Sequence, residues 1–98
     1  MSETALQQKI VKALRARGAW ARKIHSGPYQ GAGIPDIACV YKGAAVWLEV
    51  KLPNKKPTLI QIHELQELML AGAVAGVVSS VADALRFLSY VDTKKEFC

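Results

Sequence analysis

The chain has 98 residues, 51% of them hydrophobic, and carries a formal charge of +5. That length holds one domain with a modest core and leaves no room for a second. The longest apolar runs, such as 71–78, fall well short of the ~20 residues that span a bilayer, and the polar start is unlike a signal peptide. Cys39 and Cys98 make neither a disulfide scaffold nor a metal-ligand spacing. A soluble, cytoplasmic protein with no membrane partner is expected.

Leu6, Ile10, Ala13 and Leu14 recur at helical spacing through residues 3–17 and predict an amphipathic first helix closed by Gly18. Residues 19–24 read as a short strand. The stretch from His25 to Gly33 holds too much glycine and proline for regular structure and predicts a flexible loop just before Asp36. Pro35 lacks an amide hydrogen and presses Ile34 into an extended conformation, which suits the start of a strand from Asp36 to Tyr41. Lys42 and Gly43 then turn the chain into a second strand, 44–51, and the pair predicts a hairpin. Two prolines, Pro53 and Pro57, break the chain, and Thr58 with Gln61 has the form of a capping box opening a helix that runs to Ala71 and ends at Gly72. The stretch 74–78 is apolar on both faces and predicts a buried strand joined to the hairpin by a right-handed crossover helix. Ser80 caps a last helix with Val81, Leu85 and Leu88 inward. The expected fold is α/β: a single domain over 1–98 with an αβββαβ core, a mixed sheet flanked by helices, and a C-terminal helix.

In the second hairpin strand Val46, Leu48 and Val50 face one way, and Trp47, Glu49 and Lys51 the other. The hairpin carries Asp36 to the same end of the sheet as Glu49. An acid and a base at the end of an apolar strand are costly to keep there unless paired or used. Two carboxylates, with the backbone carbonyl of Val50 as a third oxygen, suit Mg²⁺, with Mn²⁺ able to substitute. Such an ion lowers the pKa of a bound water and neutralises charge on a phosphate, while Lys51 orients or deprotonates the water and steadies the phosphoryl oxygens. Phosphodiester hydrolysis is the reaction this set suits.

The positive charge is unevenly spread. Lys9, Lys12, Arg15, Arg17, Arg22 and Lys23 crowd the first quarter, and Lys55 and Lys56 follow the acidic pair. This favours a polyanionic partner, nucleic acid ahead of membrane, although a solvated helix face is the plainer account of any one lysine. His25, at the end of the first strand, is placed either to touch phosphate or to face solvent, and His63 reads as helix surface. Trp47 either stacks on a base or packs under a helix. Gln61 is placed to reach back to the Thr58 amide. Glu3 is a favourable acid at a helix start, where it answers the dipole.

Pro35-Asp36, a gap of thirteen, and Glu49-Val50-Lys51 on this order of elements resemble the PD-(D/E)XK nuclease superfamily. With Gly33-Ile34-Pro35-Asp36, Thr58 and Gln61, Gly72, and Val77-Val78-Ser79-Ser80-Val81 added, the chain from Glu3 to Leu88 resembles the VRR-NUC (virus-type replication-repair nuclease) family. The resemblance implies metal-binding acids at Asp36 and Glu49, an active-site lysine at Lys51, a helix-borne glutamine at Gln61 and a first-helix glutamate at Glu3. It implies a Mg²⁺-dependent DNA endonuclease acting as a homodimer on branched DNA such as a four-way junction. A two-fold symmetric junction needs two cuts, and a domain this small has little surface to grip it alone. Two other classes stay open: a nucleic-acid-binding module whose acidic pair is structural, and a protein-interaction domain.

Overall fold

A computed structural model describes residues 1–25 and 32–96, the last of these through its backbone only. The centre of the expected loop, 26–31, and Cys98 lie outside the described residues. The elements are α1 (Glu3–Ala16), β1 (Trp20–Lys23), β2 (Ile37–Tyr41), β3 (Ala44–Val50), α2 (Leu59–Leu70), β4 (Val74–Val78) and α3 (Val81–Glu96). This is the order expected from the sequence. The four strands form one mixed sheet in the order β1-β2-β3-β4, antiparallel except for the parallel β3–β4 pair.

The Ser2 hydroxyl caps α1 by accepting from the Ala5 amide at 3.0 Å, with Glu3 in the first turn where the helix dipole favours an acid. Leu6, Ile10, Val11 and Leu14 form the buried stripe. They pack with Ala84, Leu88 and Val91 of α3 against one face of the sheet, lined by Ala21, Ile37, Cys39, Tyr41, Val46, Leu48, Val50 and Val78. The core therefore lies between the sheet and the α1/α3 layer, and the period-2 alternation of β3 turns Glu49 to the opposite face, under α2. Cys39 is buried, and burial raises its thiol pKa to about 11, so it packs as a small apolar residue.

The hairpin turn has Lys42 at φ 50° and Gly43 at φ 82°. Two successive left-handed residues make the tight turn whose twist matches the flanking strands. The turn is tied to α3, because the Tyr41 hydroxyl donates to the Asp92 carboxylate at 3.0 and 3.2 Å and Lys42 Nζ donates to it at 2.6 Å. Arg17 stands 3.9 Å from the same group.

The sequence expectation for the last strand needs correction. β4 lies at the sheet edge and is only partly buried: Val78 is fully buried, but Val77 is 38% exposed. Val77, paired with Glu49 on the outer face, stays open because α2 covers that face only in part. Among the described residues no helix is long and apolar enough to cross a membrane.

Candidate active site

Asp36 and Glu49 are brought together by strand register. Ile37 pairs with Leu48, so one step further along the same ladder sets Asp36 across from Glu49, on the face turned away from α1 and α3. The Asp36 backbone is held by the Ile24 amide, which donates to its carbonyl at 2.7 Å, and Pro35 before it is fully buried. The Asp36 side chain is held as well, since Oδ2 accepts from the Val50 amide at 2.8 Å. Glu49 is 2% exposed, and its carboxyl lies within hydrogen-bonding contact of the Asp36 carboxyl.

Burial first, and the Asp36 charge second, hold the proton on Glu49 and raise its pKa to about 8. Lys51 acts in the opposite sense, with Nζ 3.7 Å from Glu49 Oε2 and the side chain only 14% exposed. The Lys51 amide still donates to the Val78 carbonyl at 3.0 Å, so the alternation of β3 carries one residue past the regular strand. Glu49 and Lys51 thus share a face, as the sequence spacing required.

Gln61 reaches both the Thr58 amide and the Glu49 carboxyl. Its Oε1 accepts from the Thr58 amide at 2.9 Å, the Thr58 hydroxyl accepts from the Gln61 amide at 3.2 Å, and the capping box is complete. Because the oxygen is committed to an N–H donor, the amide NH₂ has to point the other way, and it donates to Glu49 Oε2 at 3.0 Å. The helix cap and the carboxylate are joined through one side chain. Gly33 holds this end of α2 close: at φ +85° it takes a conformation other residues avoid, and a Cβ there would lie 2.9 Å from the Ile60 carbonyl oxygen.

The remaining Glu49 oxygen, Oε1, is buried and has no hydrogen-bond partner among the described residues. Two carboxyl groups pressed together, one with a dry unpartnered oxygen, form a donor set that fits a hard divalent cation. Among the described residues no group of three or more His, Cys, Asp or Glu side chains is arranged to hold a metal. Glu3 is half-buried at the start of α1, and its charge adds a small upward push on the Glu49 pKa. Two carboxylates, with the Val50 carbonyl at the last position of β3, suit Mg²⁺, which keeps several waters, better than zinc with its closed four-ligand shell.

The basic residues fall into separate groups. Lys12, Arg15 and Lys23 line a hollow of about 400 Å³ with Gln8 and Val11. Lys9 and Lys55 line another of about 650 Å³, together with Leu52, Pro53, Ser79 and Ser80, just beyond Lys51. Lys56 is exposed nearby. Arg15 Nε and Arg22 Nη1 also donate to the Ala21 carbonyl at 3.0 and 2.9 Å, and the Arg22 guanidinium lies 4.9 Å from the Trp20 ring centre. Both arginines thus brace β1 as well as carrying charge. His25 is exposed directly after Ile24, at the Asp36 end of β1. His63 lies on the helix surface, 3.4 Å from Glu67, and Trp47 is half-buried beside Ala38 and Ala75. Sequence reasoning missed the Gly33 clasp, for which no local signal exists. It also missed Gln7, whose signal was a polar residue inside the apolar stripe of α1.

No family model matches the sequence, and no curated protein does. Solved structures do match. One described as a VRR_NUC domain superposes with a TM-score of 0.73 at 27% identity, over 89% of this chain and 94% of that one. Another is Archaeoglobus fulgidus Hjc, a Holliday junction resolvase from an archaeal hyperthermophile, with a TM-score of 0.61 at 19% identity, over 76% of this chain and 64% of that one. The second likeness, at that identity, is one of fold. Motif and architecture meet in the same place: along most of its length this chain has the fold of a VRR-NUC domain, in the restriction-endonuclease-like class.

Proposed function

We propose that this chain is a Mg²⁺-dependent endonuclease that hydrolyses phosphodiester bonds in DNA, selective for branched structures such as a four-way junction and active as a homodimer. The observation that carries the reading is the Asp36–Glu49 carboxyl pair, with one buried oxygen left unpartnered and Lys51 beside it. Mg²⁺ held by Asp36, Glu49 and the Val50 carbonyl, with Mn²⁺ able to substitute, would supply Lewis acidity at the phosphate and a water of lowered pKa.

The chain's own residues define the rest. Glu49 has to give up the proton that burial and Asp36 now hold on it, and its Oε2 is kept in place by the Gln61 NH₂. Lys51 sits where its ammonium can orient the attacking water and offset charge building on the phosphoryl oxygens. Lys9, Lys12, Arg15, Arg22, Lys23, His25, Lys55 and Lys56 would carry the DNA backbone, with affinity falling as salt rises. The branched substrate is supported by the family resemblance and by the fold shared with a junction resolvase. The dimer rests on the family resemblance and on the two-fold symmetry of a junction that needs two cuts.

A panel of branched, flapped, single-stranded and linear DNA, incubated with Mg²⁺, tests the reading. The wild-type chain is expected to cut the branched substrates, and Lys51→Ala to bind them without cutting. Unchanged behaviour of Asp36→Ala would favour a non-catalytic binding module, and binding that does not weaken with salt would favour a protein-interaction domain. A monomer mass by light scattering at micromolar concentration would remove the dimer.

A further inference from the structure

Among the described residues, the buried side-chain atoms without a hydrogen-bond partner are two acceptors, Glu49 Oε1 and Gln7 Oε1. Gln7 is 6% exposed and is the polar member of the buried α1 stripe, between Leu6 and Ile10. A buried amide oxygen without a donor is costly, and an apolar residue of similar volume would avoid that cost. The position asks for a donor that none of the described residues provides.

Its surroundings say where that donor comes from. The Ala19 amide donates to the Leu14 carbonyl at 3.1 Å and Arg15 Nε to the Ala21 carbonyl at 3.0 Å, which pins the last turn of α1 to the start of β1. The first turns of α1 therefore lie beside the far end of β1, where Ile24 meets Asp36. The residues flanking Gln7 narrow this further. Gln8 shares a hollow with Lys23 at the end of β1, and Leu6 shares one with Leu52 and Pro53 just past β3. Between those two strand ends lies the start of β2, at Asp36. Helical side chains also slant toward the N-terminus, which carries Gln7 toward Glu3, whose charge is felt at Glu49.

We propose that Gln7 is a positioning residue of the metal site, its amide oxygen accepting a hydrogen bond from a water of the bound cation's shell. The inference rests on the metal-dependent reading above. A cation held by few protein oxygens keeps several waters, and each water brings O–H donors that need acceptors at the dry inner side of the site. Glu49 Oε1 is free to meet the ion and Gln7 Oε1 to meet its water, so one hydrated cation would satisfy both unpartnered atoms.

The test uses the full chain without DNA, with Mn²⁺ as probe, calorimetry for affinity, and melting in EDTA and in Mn²⁺. Gln7→Leu, which removes the unpartnered acceptor, is expected to melt about 4 °C or more above wild type in EDTA. It is also expected to bind Mn²⁺ about 10-fold or more weakly, with a smaller metal-induced rise in melting temperature. Gln7→Glu keeps an oxygen at the position and is expected to bind Mn²⁺ at least as tightly as wild type. Wild-type affinity in Gln7→Leu overturns the proposal. So does loss of Mn²⁺ binding in Gln7→Glu, which decides the matter alone if the leucine variant does not fold. Asp36→Asn separates the two readings. If wild type binds Mn²⁺, Asp36→Asn does not, and Gln7→Leu matches wild type, the Gln7 role fails while the metal site stands. If wild type takes up no Mn²⁺, both fall.

Discussion

Asp92 and Glu49 stand at opposite ends of the β2–β3 hairpin in opposite company. Around Asp92 the donors outnumber the acceptors: Lys42 and Tyr41 both hydrogen-bond to it and Arg17 stands close by. The Lys42 hydrogen bond, helped by Tyr41 and by the charges of Lys42 and Arg17, holds its carboxyl below the usual range, and Lys42 is raised in return. Around Glu49 the balance is reversed. A second acid lies against it, water is excluded, one oxygen has no partner, and its pKa rises to about 8. A carboxylate that the fold satisfies is a tie between elements. One that the fold dries out and leaves short of donors is a standing cost, and such costs gather where a ligand supplies what is missing.

If that contrast is correct, substitutions at the two ends should differ most in chemistry. Asp36→Asn, Glu49→Gln and Lys51→Ala are each expected to lower Mg²⁺-dependent cleavage on the order of 10³-fold, with the circular dichroism spectrum unchanged. Asp92→Asn should leave cleavage near wild type, and an equal loss there would erase the distinction.

Stability against pH should separate them next. Glu49, with an ordinary value of 4.5, holds its proton in the folded metal-free chain up to about 8 and releases it earlier when unfolded. The folded state then binds more protons between those values, so stability falls as pH rises across that window, by on the order of a few kcal/mol. Asp92 is shifted the other way, so its contribution is present above the unfolded value and is lost only as pH drops through its lower folded one. Urea unfolding in EDTA from pH 5 to pH 8 reads the first effect. Glu49→Gln should flatten the curve, and a wild-type curve already flat would show that Glu49 ionises without cost.

The acidic pair was legible in the sequence because its causes are local. Alternation through 46–51 fixes the face of Glu49, Pro35 starts the strand that follows Asp36, and Lys42-Gly43 closes the hairpin that sets their register. The capping box was legible for the same reason. What lay hidden depends on approach across space. That Gly33 passes against Ile60, or that the Gln61 amide spans from Thr58 to Glu49, requires knowing how α2 crosses the sheet. The edge position of β4 was hidden for a different reason: an apolar strand has the same composition whether it is buried on both sides or open along one, and only the strand order decides.

Gln61 lies between the two extremes and gives an intermediate prediction. Gln61→Ala removes the capping-box partner and the donor to Glu49 together. A cost of about 1 kcal/mol in unfolding free energy is expected from the cap, with a loss of about 10-fold to 100-fold in cleavage from the freed carboxylate. Stability loss with full activity would make Gln61 a cap alone.

Asp92→Asn is expected to have the smallest effect, although Tyr41, Lys42 and Arg17 all gather around Asp92. The partners are the reason for caution in the opposite direction: Lys42 is 56% exposed and Arg17 42% exposed, so water and salt compete for every charge in the cluster. Asparagine keeps an oxygen for the Tyr41 hydroxyl and gives up only the screened charge. The unfolding midpoint in urea should shift slightly at low salt, and the shift should shrink as sodium chloride is added. A large, salt-independent loss would mean that the hairpin turn depends on this tie, and that the far end of the sheet is held as firmly as the end that carries the acids.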